Sequence, residues 1–95
     1  MVKSFAELEE QETPSQQDVI DTMEDYAKLP SSISSSVVID VINRAGLSRD
    51  ALEACLSSAI KGEELQTKMA KIHGRREARQ YGKVADHIRR LLHAV

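Results

Sequence analysis

Residues 74–95 read GRREARQYGKVADHIRRLLHAV, and the angular sorting of these side chains decides what kind of fold the chain builds. At about 100° per residue, with Arg75 set at zero, Arg76, Arg79, Lys83, Arg89, Arg90 and His93 fall between about −40° and +100°. Tyr81, Val84, Ile88, Leu91 and Leu92 fall between about 160° and 260°. A single helix over residues 75–94 would therefore bury one flank and turn an arginine-rich flank outward. Asp86 interrupts the basic sector, and Glu77 lies toward the apolar one.

Outward from this segment, charge is distributed unevenly. Residues 1–55 carry Lys3, Lys28, Arg44 and Arg49 against eleven acids, whereas residues 56–95 carry nine basic residues against four. The formal net charge of −2 thus conceals an acidic and a basic half. A chain of 95 residues with 41% hydrophobic content suits one small domain with a modest core. Aromatic residues make up 3%, and tryptophan is absent, so the core must come largely from aliphatic side chains and methionine. No apolar run is long enough to span a bilayer, and the acidic start lacks the pattern of a secretory signal. Cys55, the one cysteine, cannot form an internal disulfide. A cytoplasmic location without membrane contact is the expectation from these features.

Upstream, residues 1–14, MVKSFAELEEQETP, are rich in glutamate and end at a proline. They read as a disordered acidic tail, with Glu7, Glu9, Glu10 and Glu12 able to fold over the basic helix and compete with an anionic partner. The helical domain occupies residues 15–95. Ser15 can cap a first helix of about 15–28, in which Val19, Ile20, Met23, Tyr26 and Ala27 share a face. Leu29-Pro30 ends it. Ile33, Val37, Val38, Val41, Ile42 and Ala45 carry a helical period through the serine-rich stretch, giving a helix of about 32–44 closed by Gly46 in a left-handed cap. Val37-Val38-Ile39 would also suit a strand, but no second convincing strand exists to pair with it.

A further helix opens at Ser48, with Asp50 in its first turn and Leu47 able to staple on Leu52. Leu52, Cys55, Leu56, Ala59 and Ile60 mark its buried face, and Gly62 its expected end. Leu65, Met69 and Ile72 form a stripe that an unbroken helix would misalign with Tyr81–Leu92. This mismatch predicts a break near Gly74, between a short helix of about 63–73 and the last one. The fold class expected is all-α: an irregular bundle of four to five short helices.

The basic flank suits phosphate, because guanidinium groups stay charged and bind oxyanions in a bidentate fork. Free backbone N–H groups at the helix start near Gly74 would add to it. The ordinary alternative is a solvated helix face. His73, His87 and His93 do not share a zinc-binding spacing, and no glycine-rich phosphate loop occurs. Cys55 lies on an apolar stripe with no histidine near it in sequence. The expectation is a non-enzymatic chain with no metal, cofactor or small-molecule substrate.

Gly74-Arg75-Arg76-Glu77-Ala78-Arg79-Gln80-Tyr81-Gly82-Lys83 resembles an arginine-rich motif of the DarP (YjgA) family of bacterial large-ribosomal-subunit assembly proteins, in which an arginine pair is followed by Gln-Tyr and Gly-Lys. Tyr26-Ala27-Lys28-Leu29-Pro30 looks like the leucine-proline step that precedes the motif helix in that family. The chain is much shorter than family members and lacks one residue between Tyr81 and Gly82. The resemblance implies an all-helical protein contacting ribosomal RNA through Arg75, Arg76, Arg79, Gln80, Tyr81 and Lys83. Together with the exposed flank, which adds Arg89 and Arg90, it predicts a binding module for structured RNA in a ribonucleoprotein. The alternative partner is an acidic protein surface, with the chain acting as a helical adaptor or small homodimer.

Overall fold

The computed structural model describes residues 4–28, 33–68 and 76–94. These form five helices and no strand among the described residues: α1 (Phe5–Glu9), α2 (Gln16–Lys28), α3 (Ser35–Ala45), α4 (Arg49–Lys68) and α5 (Arg76–Ala94). The all-α bundle agrees with the hydrophobic periodicity of the sequence. Helix α4 packs most extensively on α5 and next on α2, while α3 bridges α1 and α5.

Helix starts follow the capping chemistry. The Asp18 N–H donates to Ser15 Oγ at 3.2 Å, and the Ala51 N–H donates to Ser48 Oγ at 3.3 Å. Each bond satisfies an amide that has no partner inside its helix. Gly46 adopts φ 59° at the end of α3, the left-handed cap its sequence position predicts. Val37, Val38 and Ile39 lie in that helix rather than in a strand, with Val38, Val41 and Ile42 buried. The helix begins later than expected, at Ser35, and the hydroxyl of its N-cap Ser34 bonds Ser36 Oγ at 2.9 Å instead of capping the backbone. The expected stop at Leu29-Pro30 lies outside the described residues.

The N-terminal segment differs from the disordered tail expected of it. Ser4 caps α1 by accepting from the Glu7 N–H, and Phe5 and Leu8, three apart, enter the core at 1% and 0% exposure. Phe5 meets the Tyr26 ring edge-on, with centroids 5.4 Å apart. Arg44 of α3 then secures the segment that follows: its Nη1 donates to the backbone carbonyls of Glu9 at 2.7 Å and Gln11 at 3.1 Å, while Nη2 pairs with Asp40. Residues 4–14 thus pack against α2 and α3, and the glutamates ride on an ordered segment.

Gly62 does not end a helix, and the separate helix expected from residue 63 is instead the continuation of α4 to Lys68. The glycine is needed for close approach: a Cβ there would lie 3.0 and 3.1 Å from two ring carbons of Tyr81 and 3.2 Å from the Ala27 Cα. Removing the side chain lets α2 and α5 both press against α4 at one point. Residues 69–75, and with them the expected break near Gly74, lie outside the described residues.

Two substitutions separate these effects. Glycine-to-alanine in a helix interior gains about 0.5–1 kcal/mol of intrinsic preference. At Gly82 the new methyl meets only the carboxylate end of Glu63, which can swing away, so Gly82→Ala should raise the melting temperature by several degrees. At Gly62 it meets a ring and a backbone, and overpacking of about 1–3 kcal/mol should outweigh the gain, so Gly62→Ala should lower it. Deleting residues 1–14, harmless for a disordered tail, should cost at least the roughly 3–5 kcal/mol of a buried Phe→Ala change, as read by urea denaturation.

Candidate functional site

Helix α5 is held by its inner flank. Tyr81, Val84, Ala85 and Ile88 are buried, and the Tyr81 hydroxyl donates to the Tyr26 carbonyl at 2.6 Å. With the rotation of the helix fixed in this way, the outer flank is determined. At about 100° per residue, Arg79, Lys83 and Arg90 lie within about 40° of one another, opposite Tyr81 and Ile88. They span about 16 Å at 1.5 Å per residue. All three are exposed and make no hydrogen bond or ion pair among the described residues.

The remaining residues expected on this surface divide. Arg89 is exposed but turned aside, its Nη1 bonding Asp86 Oδ1 at 3.1 Å. This exposed pair adds little stability, and it engages the one carboxylate of the basic sector. Tyr81 is 2% exposed and lies in the core, so it is not a surface contact as the motif resemblance implied. The apolar flank claims its ring, as the angular sorting already indicated. Gln80 is half-buried, with its Oε1 sealed from solvent and unpartnered among the described residues. Arg76 begins α5, and Arg75 lies outside the described residues.

His87 lies beside this ridge and ties α5 to α3, its Nε2 standing 2.8 Å from Asn43 Oδ1. Burial first, and then the Arg90 charge, hold its pKa below the usual 6.5. Because folding lowers this pKa, the neutral ring contributes stability that is present above the unfolded value and lost as pH falls through the folded one. Cys55 is buried in the core, and burial followed by the nearby Glu24 charge pushes its thiol up to about 12. It remains a protonated packing group at neutral pH, unsuited to nucleophilic attack. No three His, Cys, Asp or Glu side chains converge as a metal site among the described residues, and no described helix is long and apolar enough to cross a membrane.

Two features had no clear sequence signal. Gln66, fully buried on α4, leaves both amide atoms unpartnered among the described residues. Such groups cost about 1–3 kcal/mol when buried unpaired. A groove between α2 and α4 is the other, and its lining residues share no local motif. Comparison with protein-family models, with curated proteins and with solved structures gave no match.

The titration of His87 can be isolated. Between about pH 7.5 and pH 5, thermal midpoints of the parent chain should fall further than those of His87→Gln, which keeps an amide donor for Asn43 but cannot take up a proton. Parallel curves would assign the acid sensitivity to other groups.

Proposed function

We propose that this chain is a non-catalytic binding module whose last helix engages structured RNA within a ribonucleoprotein. The observation that carries the reading is the unpaired cationic ridge of Arg79, Lys83 and Arg90, fixed outward by a buried opposite flank. The helix backbone holds these three attachment points in one row facing a line of phosphates, and two of its members carry the planar fork that grips phosphate oxygens in pairs. The resemblance of residues 74–83 to a ribosome-assembly motif supports RNA as the source of those phosphates.

The mode of contact follows from the aromatic residues. Phe5, Tyr26 and Tyr81 are all the aromatic side chains the chain has, and all are buried. No exposed Phe, Tyr or Trp ring is therefore offered for stacking unpaired bases, which favours reading the shape and backbone of a folded RNA over reading its sequence.

The combined Arg79→Gln, Lys83→Gln and Arg90→Gln variant should bind structured RNA more weakly whatever its sequence. If the three side chains each meet a phosphate, the slope of log affinity against log salt should flatten by about 2–3. Filter binding across salt concentrations measures both effects. A variant that binds RNA like the parent would overturn the assignment of the ridge, and a cellular partner that survives nuclease in a pull-down would replace RNA with an acidic protein.

A further inference from the structure

A groove of about 370 Å³ runs between α2 and α4, lined by Glu24, Ala27, Lys28, Ser58, Lys61 and Leu65. Its volume falls among those of ligand-holding clefts, roughly 300–1,000 Å³. It is separate from the cationic ridge. Ser58, Lys61 and Leu65 occupy one flank of α4, whereas Glu63, which faces Gly82 of α5, lies about 160° round the helix from Lys61. Leu65 is 38% exposed, the large apolar side chain that the described surface leaves most open. Lys28 and Lys61 are exposed and unpaired among the described residues.

We propose that this groove docks a short acidic peptide segment of another protein, seating an apolar side chain on Leu65 and Ala27 with its carboxylates beside Lys28 and Lys61. The chemistry of the lining discriminates between anionic partners. A nucleic-acid backbone has no apolar group to cover Leu65. A peptide supplies the apolar side chain, and its backbone N–H groups can donate to Glu24 and to Ser58 Oγ. Lysine ammonium groups on flexible stems suit carboxylates of variable spacing, where a rigid arginine fork would demand one geometry. The inference does not depend on RNA binding by α5, because it uses different residues on a different flank.

The test is a titration of the full-length, ¹⁵N-labelled chain with a blocked acidic peptide carrying Leu-Leu steps between runs of Asp and Glu. Saturable amide shifts are expected at Glu24, Ala27, Lys28, Ser58, Lys61 and Leu65. Lys28→Glu with Lys61→Glu should weaken the interaction at least about tenfold, and Leu65→Ser should weaken it further. These positions are exposed, so the variants should keep the parent spectrum elsewhere. The Arg79→Gln, Lys83→Gln and Arg90→Gln variant should bind the peptide like the parent, whether or not it has lost RNA. No saturable shift up to millimolar peptide, or shifts confined to α5, would overturn the proposal. So would a structured RNA hairpin that moves the groove amides and is lost with the two lysines, which would assign the groove to nucleic acid.

Discussion

The seating of Tyr81 against Gly62 is the contact on which the arrangement of helices depends. The ring lies within 3.0–3.1 Å of where a Cβ of residue 62 would stand, and the Ala27 backbone comes within 3.2 Å of the same point, so α2, α4 and α5 meet at one place. The Tyr81 hydroxyl reaches the Tyr26 carbonyl, one of the acceptors that the last turn of α2 cannot satisfy internally. A buried polar group on each side is thereby paired, and a lateral slip of α5 would break this bond. The tilted Tyr26–Tyr81 pair and the edge-on Phe5 extend the contact to α1. Burial, and secondarily Tyr81, push the Tyr26 phenol up to about 12, which keeps it protonated as a donor to the Ile33 carbonyl at 3.3 Å.

Features set by local chemistry were legible in the sequence. Ser15, Ser48 and Gly46 mark helix ends because caps depend on residues within one turn. The helical period of residues 33–45 outweighed the serines and the β-branched run for the same reason. Gly62 misled because a helical glycine is either a stop or a site of close approach, and only a partner distant in sequence decides which. The N-terminal segment misled through its composition. Ser4 and Glu7 carry the spacing of a capping box and Phe5 and Leu8 that of a helical face, but the glutamates around them drew the reading toward disorder.

The candidate site was partly legible. Angular sorting placed Arg79, Lys83 and Arg90 on the exposed flank, where they stand. It also placed Tyr81 on the buried flank, against the motif resemblance, and here periodicity was the better guide because a tyrosine ring is worth more in a small core than in solvent. The withdrawal of Arg89 toward Asp86 depends on rotamers, which spacing alone does not specify. The α2–α4 groove joins residues thirty or more positions apart, a separation that periodicity cannot bridge.

The clasp made by Arg44 has a consequence for how freely the sequence around it can change. Its guanidinium holds main-chain oxygens of residues 9 and 11, and main-chain oxygens are the same whatever side chain is attached. The acidic character of that stretch is therefore not required for its attachment. Charge there can drift toward neutral, or be adjusted to suit a partner, while the anchoring stays with one residue on the far side of the contact.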